Sequence, residues 1–348
     1  ISAGDAAIGE LIAGVIAKVG EDGVVTVEEG QGLAMESEVV EGFTFDRGFV
    51  SPYMVTDTSR MEAVYDKPLI LITDKKISSV QEFLPILEKV AQTGKKDLVI
   101  IAEDIEGEAL GTLILNRLKG VFNTIAIKAP AFGDRRKEVL QDIAVLTGGQ
   151  VISEEQGFTF ENADVAMLGT ARRVIVDKDN TTIIEGGGSQ AALKERISQI
   201  TAQGSNASSE YEKENFDKRR AALDGKVAVI KVGGATETEI EEKKFRVDDA
   251  VAAVKAALDE GIVSGGGVTL VNLASSISGD DAGKSLLKNA LVQPFVQLME
   301  NAGLNAQALL AQVQSAKPGQ GVNVNTPEAG LADMKKSGVV DPARVTKE

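Results

Sequence analysis

The sequence predicts a mixed α/β protein in which one α/β domain is inserted into a smaller domain. Three observations lead to this fold class. Between residues 42 and 225, short apolar runs alternate with helical segments, a pattern typical of a mainly parallel sheet covered by helices. Residues 1–41 and 226–258 flank this region as two arms of one domain. After Gly267 the pattern is largely helical.

The elements of the inserted region follow from periodicity. Strands are predicted at 68–73, 97–102, 123–128 and 150–153, and helices at 80–92, 107–119 and 134–146. Residues 172–177 and 181–184 are predicted to form a hairpin, and 189–223 to form two helices interrupted near 205–209. Outside this region, helices are predicted at 5–19, 268–276, 284–291, 294–301 and 306–313, and strands at 24–27, 35–41 and 226–232.

The segment 246–270 predicts a helix that ends at a glycine and is followed by a glycine-rich turn. Apolar residues recur there at steps of three and four, and Asp248 and Asp249 are placed in the first turn, where the helix dipole favours negative charge. Gly261 ends the helix. The glycines 265–267 lack Cβ atoms and let backbone amides approach a phosphate, although such a run is more often a tight turn. The segment matches neither a P-loop nor a GxGxxG motif.

Composition limits the chemistry of the 348-residue chain. Histidine and cysteine are absent, so any catalysis depends on carboxylates, lysines, hydroxyls or an oxygen-bound metal ion. The net charge of −15 and the aromatic content of 4% argue against nucleic acid as a partner. No apolar run reaches the length of a membrane span, so no membrane partner is expected. The lack of cysteine fits a reducing compartment, and we expect a cytoplasmic location.

Two predicted helices carry more apolar surface than one core face needs. The sets are Val80, Phe83, Leu84, Ile86, Leu87 and Val90 in the first helix, and Ala109, Leu110, Leu113, Ile114, Leu115 and Leu118 in the second. Burial on two sides is one explanation, and a groove that binds an apolar partner is the other. Three or four such side chains, each contributing roughly 1.5–3 kcal/mol, would support on the order of micromolar binding.

Individual carboxylates suggest chemistry near the glycine turn. Asp249 is the residue that we assign to catalysis, because an aspartate beside a glycine loop can orient water toward a phosphate. Asp248 is predicted to cap the helix. Asp341 precedes a proline that enforces extended or turn backbone, where it contacts a ribose or an amino group or caps a helix. Residues 237–244 are predicted to form a solvated face with i,i+4 ion pairs.

A series of motifs, in order along the whole chain, carries a resemblance to a known family. These motifs are Glu41-Gly42, Phe45-Asp46-Arg47-Gly48, Ser51-Pro52-Tyr53, Asp74-Lys75-Lys76-Ile77-Ser78, Ala102-Glu103-Asp104, Glu106-Gly107-Glu108-Ala109-Leu110, Lys128-Ala129-Pro130, Phe132-Gly133-Asp134-Arg135-Arg136, Thr147-Gly148-Gly149, Ile152-Ser153-Glu154-Glu155, Val229-Ile230-Lys231-Val232-Gly233 and Gly265-Gly266-Gly267. Together they closely resemble a GroEL-type group I chaperonin.

The resemblance implies an order of domains. Residues 1–41 and 226–258 correspond to the two arms of the intermediate domain, 42–225 to the apical polypeptide-binding domain, and 259–348 to the C-terminal part of a mainly helical equatorial ATP-binding domain. Both ends look cut. The family's N-terminal equatorial segment with its phosphate loop and its C-terminal tail are expected to be missing, so this chain alone is expected to be inactive as an ATPase.

The resemblance also implies functional residues. The surface that binds unfolded polypeptide and a GroES-type co-chaperonin corresponds to Phe49, Tyr53, Met54, Leu84, Leu87, Leu110, Ile114 and Leu115. The hydrolytic carboxylate corresponds to Asp249, the nucleotide contacts to Gly266, Asn323 and Asp341, and the hinges to Gly42 and Gly261; no metal ligand is assigned. In the sequence Gly225-Lys226, the family's usual second hinge glycine is replaced by lysine.

For the full-length protein, the resemblance implies a folding ATPase that uses ATP, Mg²⁺ and K⁺ and forms a ring of identical copies. None of these cofactors is expected to bind this chain tightly. Two other classes stay open. A small-molecule enzyme would place its active site after the strands near Thr73, Ala102 and Lys128, where the sequence suggests no polar cluster. An assembly protein would use the apolar helices as a fixed interface between copies.

Overall fold

The computed structural model describes residues 2–20, 23–30, 32–207, 209–279 and 281–348. The described helices are α1 (Ala6–Val19), α2 (Val80–Gln92), α3 (Gly107–Leu118), α4 (Asp134–Thr147), α5 (Gln190–Asn206), α6 (Glu210–Leu223), α7 (Glu237–Glu260), α8 (Val268–Ser276), α9 (Ala282–Asn301), α10 (Ala306–Ser315) and α11 (Ala343–Lys347). None of the helices in these ranges is both long and apolar enough to cross a bilayer.

The strands alternate with these helices in the first two thirds of the chain. They are β1 (Val24–Glu29), β2 (Glu36–Phe45), β3 (Ala63–Asp66), β4 (Leu69–Thr73), β5 (Lys76–Ile77), β6 (Asp97–Ala102), β7 (Asp104–Ile105), β8 (Asn123–Lys128), β9 (Val151–Ile152), β10 (Gly169–Val176), β11 (Thr181–Gly186), β12 (Lys226–Val232), β13 (Ile262–Ser264), β14 (Gln320–Val322), β15 (Leu331–Asp333) and β16 (Val340–Pro342). The mixed α/β class is therefore confirmed.

The chain divides into two compact units. The central unit comprises Glu38–Ala228, and the flanking unit comprises Ile1–Ser37 together with Val229–Glu348. Both boundaries fall inside strands, β2 and β12, rather than in loops.

In the central unit, the sheet runs in the order β2-β11-β10-β4-β6-β8, with β3 beside β10 and β9 beside β4. The pairs β4–β6, β6–β8 and β4–β9 are parallel, whereas β10 and β11 form the predicted antiparallel hairpin. All five residues of β4 are buried, because helices pack on this sheet. The core joins this sheet to the buried faces of α2, α3 and α4.

In the flanking unit, α1 packs against α7, and α8, α9 and α10 pack together around Phe295 and Met299. Two predicted boundaries were wrong. The helix expected from Arg246 begins at Glu237, capped by the Thr236 side chain, because 237–245 is itself strongly helix-forming. The two helices expected on either side of Pro294 are one helix, α9, because the surrounding residues Val292, Phe295, Val296 and Met299 are all buried by α8 and α10.

Candidate functional site

An apolar surface lies on α2, α3 and the turn at 52–54 in the central unit. Leu84 on α2 is 42% exposed, Leu115 on α3 is 57% exposed, and Tyr53 in the turn is 70% exposed. The helices α2 and α3 pack on each other, and α3 packs on the turn. We refer to Tyr53, Leu84 and Leu115 as the α2–α3 surface. Large apolar side chains that are exposed together are characteristic of binding surfaces.

Helix periodicity explains why these leucines face outward. In α2, Phe83, Ile86, Leu87 and Val90 occupy the buried face, and the Phe83 ring meets Phe160 edge-on at 5.7 Å. In α3, Ala109 and Leu113 take that role. Once these positions fill the core side, Leu84 lies at the edge of the buried face of α2 and Leu115 lies away from the buried face of α3, and both stay exposed.

Arg117 fixes the third element of the surface. Its Nε donates to the backbone oxygen of Tyr53 at 3.3 Å, and its Nη2 donates to the backbone oxygen of Val55. These bonds join the C-terminal turn of α3 to the segment that carries Tyr53. The turn itself begins at Ser51, whose hydroxyl accepts from the Tyr53 amide at 3.4 Å.

The other predicted polypeptide-binding residues are less accessible. Phe49, Leu110 and Ile114 are half-buried and pack against the core. Met54 is fully buried, and its sulfur accepts a hydrogen bond from the Ala126 amide at 3.3 Å; Leu87 is also buried. In this conformation a ligand on the surface would not touch Met54 or Leu87, because both side chains fill the core beneath it.

Two further apolar residues outside the predicted set are exposed at the C-terminal end of α3. Leu118 is the last residue of α3, and Val121 follows in the loop before β8. Leu118 belongs to the apolar series that the sequence showed. Val121 has no periodic signal because it lies outside the helix.

The glycine run in the flanking unit lies against β16. Strands β13 and β16 pair with Val263 opposite Asp341, and the Gly265 amide donates to Val339 O at 3.0 Å. Gly266 and Gly267 have φ angles of 67° and 75°, which glycine adopts without strain. A Cβ on Gly267 would lie 2.8 Å from the backbone of Phe295, so close packing also requires glycine there.

Asp341 faces this run, although it is not a helix cap. A Cβ on Gly265 would lie 3.1 Å from its carboxylate oxygen, and partial burial raises the pKa of Asp341 above its usual value. Among the described residues its carboxylate has no hydrogen-bond or ion-pair partner. Helix α11 begins after Pro342, with no side-chain cap, so the predicted capping role for Asp341 was wrong.

Asn323 lies one residue beyond β14, close to the same run in sequence and packing. Gly321 in β14 and Gly266 both lie against the side chain of Met334. The Asn323 side chain accepts from the Asn325 amide at 3.0 Å. The structure thus places Gly265, the neighbour of Gly266, beside Asp341, and it places Gly266 and the strand before Asn323 against the same side chain, Met334.

Asp249 does not share this arrangement. It lies exposed in the middle of α7, and no hydrogen bond or ion pair among the described residues joins it to Gly266, Asn323 or Asp341. The predicted first-turn position of Asp248 and Asp249 was wrong, because α7 begins eleven residues before Asp248. The predicted i,i+4 pairing within 237–244 is confirmed for Lys243, which contacts Glu239 at 2.6 Å, and a further pair outside that range joins Arg246 to Glu242 at 2.5 Å.

The two predicted hinge positions require glycine for different reasons. Gly261 ends α7 with a φ of 83°, and a Cβ there would meet nothing within 4 Å, so its backbone conformation alone favours glycine. Gly42 pairs with Ile184 within the sheet, and a Cβ there would lie 2.1 Å from Val227 Cγ2. Close packing is the requirement at Gly42.

A charged cluster that the sequence analysis missed lies at the carboxyl ends of the parallel strands. It surrounds a cavity of 420 Å³ lined by Asp74, Lys75, Glu103, Gly133, Asp134, Arg136, Lys137, Ser153, Glu154 and Glu155. The expectation of no polar cluster at this edge was therefore wrong. The sequence does carry a signal for this cluster, because charged residues directly follow the apolar runs at 73–75, 102–104 and 152–155.

The cations of this cluster form ion pairs with its carboxylates. Lys75 contacts Glu154, Arg136 contacts Glu103 at 2.5 Å, and Lys137 contacts Glu155 at 2.6 Å. Three of the five carboxylates are thus held in ion pairs, and Asp74 accepts a hydrogen bond from the Ser153 hydroxyl at 2.6 Å, an arrangement that favours a structural role over catalysis. In the part of the chain that the structure describes, no group of three or more histidine, cysteine, aspartate or glutamate residues is arranged to hold a metal ion.

Comparison with protein families agrees with the pattern of motifs. The model of the TCP-1/cpn60 chaperonin family matches residues 5–348, which is nearly the whole chain. The chain therefore belongs to the TCP-1/cpn60 chaperonin family. Membership indicates a chaperone that acts in protein folding, binds unfolded polypeptides and forms oligomers, in a family whose members are generally ATPases.

Proposed function

We propose that this chain is a GroEL-type, group I chaperonin subunit that binds non-native polypeptides through the α2–α3 surface. The observation that carries the proposal is the joint exposure of Tyr53, Leu84 and Leu115 on packed elements of the central unit. Apolar contact is non-directional, so such a surface accepts many sequences, as a general folding chaperone requires.

The half-buried neighbours Phe49, Leu110 and Ile114 would enlarge the contact at the edge of the surface. Met54 and Leu87 would support it from below. A mobile apolar segment of a GroES-type co-chaperonin is proposed to compete for the same surface, because it offers the same chemistry as an unfolded client.

For nucleotide binding, we propose contacts by Gly266, Asn323 and Asp341. The chain's residues fit a phosphate near the glycine run, because the amides of Gly266 and Gly267 have no backbone acceptor among the described residues and both residues have positive φ angles. Asp341 would accept hydrogen bonds from hydroxyl groups of the ribose. When bound, ATP would supply the free energy for a conformational cycle.

The hydrolytic role of Asp249, the hinges at Gly42 and Gly261, and assembly into a ring belong to the same proposal. We propose the domain limits 1–41, 42–225, 226–258 and 259–348 for it. The proposal that the full-length protein uses Mg²⁺ and K⁺ rests on the family resemblance alone, since no group of three or more histidine, cysteine, aspartate or glutamate residues among those described is arranged to hold a metal ion. No step is therefore assigned to these ions.

The test is suppression of aggregation in the absence of nucleotide. Chemically unfolded test proteins are diluted into the wild-type chain, into a Leu84→Ser/Leu115→Ser variant, and into a control variant, Leu286→Ser/Leu287→Ser. The control leucines are similarly exposed but lie on α9 of the flanking unit. We expect suppression by the wild-type chain and the control, and loss in the Leu84/Leu115 variant. Equal suppression by all three proteins would contradict the proposal.

The nucleotide contacts need a separate measurement. Saturation-transfer NMR detects weak binding of ADP, and we expect its signals to disappear in a Gly266→Val variant, because the added side chain meets Met334 and strains a positive φ. A Gly261→Ala variant changes a similar positive φ away from the run and should keep the signals. Signals retained in Gly266→Val would contradict the assignment.

A further inference from the structure

The three tyrosines of the chain lie in three different environments. Tyr65 in β3 is buried, and burial raises its pKa to about 12. Tyr53 is exposed on the α2–α3 surface, and its hydroxyl has no hydrogen-bond partner among the described residues. Tyr211 is also exposed, at 62%, yet its phenol is held by an arginine. The reactivity of Tyr211 can therefore be compared with that of Tyr53 and Tyr65 in the same chain.

Arg135 contacts Tyr211 in two ways. Its Nη1 donates to the phenol oxygen at 2.8 Å, and its guanidinium carbon lies 4.6 Å from the centre of the ring. Arg135 is the second residue of α4, and Tyr211 is the second residue of α6, two helices that pack on each other. The contact thus joins the starts of two helices.

The surroundings of Tyr211 favour its ionised form. The hydrogen bond and the positive charge of Arg135 lower the pKa of the Tyr211 phenol, and Asn215 and Lys218 on α6 act in the same direction. The N-terminal turn of α6 also favours negative charge. The acidic groups nearest in sequence to Tyr211 are Glu210, Glu212 and Glu214 on α6, and Asp134 precedes Arg135 on α4. The exposed position of the phenol limits their opposing effect through solvent screening.

We propose that Tyr211 is a modification site: a nucleophilic phenol that Arg135 activates toward acyl and sulfonyl electrophiles. The phenolate oxygen attacks the electrophilic carbon or sulfur, a new O–C or O–S bond forms, and the leaving group departs with the electron pair of the broken bond. With a sulfonyl fluoride the S–F bond breaks, fluoride leaves, and the phenol proton passes to water. No oxidant or reductant is needed.

Two features sharpen this assignment. The chain has no cysteine and no histidine, so the usual strongest nucleophiles do not compete. Modification would also remove the acceptor that Arg135 uses, and Arg135 lines a cavity of 640 Å³ between β2, α4 and α6. A group added to Tyr211 would therefore release Arg135, one of the residues that line this cavity. The proposal is independent of the chaperone function.

The experiment uses the complete chain and 4-methylbenzenesulfonyl fluoride at one mildly alkaline pH. Labelling rates of all three tyrosines are measured by peptide mass mapping, in the wild-type chain, in Arg135→Gln, and in Lys137→Gln. Lys137 is an exposed cation on the same helix whose ion-pair partner is Glu155, so it controls for loss of one positive charge. Absorbance titration of the tyrosines accompanies each variant.

We expect the rates in the order Tyr211, Tyr53, Tyr65. The phenolate fraction changes about tenfold for each unit of pKa, so the advantage of Tyr211 should rise with its measured titration difference from Tyr53. Arg135→Gln should lower the labelling rate of Tyr211 toward that of Tyr53 and leave Tyr53 unchanged, and the buried Tyr65 should stay the slowest of the three, which reports an intact fold. Equal rates in the wild-type chain, or the same loss in Lys137→Gln, would overturn the proposal.

Discussion

Gly42 and Gly225 lie against each other in the central unit, at positions where neither has room for a side chain. The Gly42 amide donates to the Gly225 carbonyl at 3.1 Å. A Cβ on Gly225 would lie 2.5 Å from the Gly42 oxygen, and a Cβ on Gly42 would lie 2.1 Å from Val227 Cγ2. The two chain segments that enter and leave the central unit are therefore joined by a direct backbone contact.

Gly42→Ala should destabilise the central unit by about 1–3 kcal/mol, because the new methyl group overlaps Val227 and forces the strands apart. Hydrogen exchange at β11, which pairs with this part of β2, measures the effect locally. Gly111→Ala is the matched control. Gly111 lies inside α3 with nothing within 4 Å of its Cβ position, so this variant should gain about 0.5–1 kcal/mol in free energy of unfolding. Unchanged protection in Gly42→Ala would contradict the packing argument.

Asp142 joins three helices through a buried carboxylate. Its side chain is 1% exposed, and it accepts from Arg196 Nε on α5 and Arg219 Nε on α6, both at 2.7 Å. Asp142→Ala would leave two guanidinium groups without their buried partner, and should cost about 3–5 kcal/mol of unfolding free energy. Urea denaturation followed by circular dichroism measures this loss.

An exposed pair on α6 provides the control for Asp142. Glu210 and Lys213 lie 3.9 Å apart at the surface, so Glu210→Ala should change the free energy of unfolding by less than about 0.5 kcal/mol. If Asp142→Ala were as mild as Glu210→Ala, the buried ion pairs would not hold α5 and α6 to α4.

Asp341 should make stability fall as the pH rises. Its pKa is raised by burial in the folded chain, so the folded state binds the proton more tightly than the unfolded state does. The wild-type chain thus loses stability between the usual pKa of 3.8 and the raised folded value. Asp341→Asn avoids this loss, and its advantage in urea denaturation should be present at neutral pH and shrink as the pH falls toward 3.8.

Asp281 offers a comparison of opposite sign. It caps α9, and the hydrogen bond from the Lys284 amide lowers its pKa. The wild-type chain should therefore exceed Asp281→Asn in stability at neutral pH and lose that excess as the pH falls through the lowered value. A pH trend of the same sign in both variants would contradict the assignment for Asp341.

Periodicity predicted most of the central unit. The helix α2 begins and ends where the pattern indicates, despite Pro85 within it, and the hairpin of β10 and β11 was expected. Boundaries failed where tertiary packing decides them. Pro294 lies inside α9 because its neighbours Phe295 and Val296 are buried by other helices, which no local pattern reveals.

The candidate sites were predictable to a smaller extent. Apolar excess on two helices indicated the α2–α3 surface, and the exposure of Leu84 and Leu115 agrees with it. Sequence cannot distinguish these leucines from Leu87, which has the same chemistry but fills the core. The contact of Arg135 with Tyr211 joins residues 76 positions apart and depends on the packing of α4 on α6, so no motif indicates it.

Site-specific photo-crosslinking tests the central claim most directly. A benzophenone amino acid replaces Leu84, Leu115 or, as a control, Leu286, and each variant is illuminated with an unfolded client and with the same client in its native state. We expect crosslinks from positions 84 and 115 to the unfolded client only, and none above background from position 286. Crosslinks of equal yield at all three positions, or none at 84 and 115, would contradict a polypeptide-binding role for the α2–α3 surface.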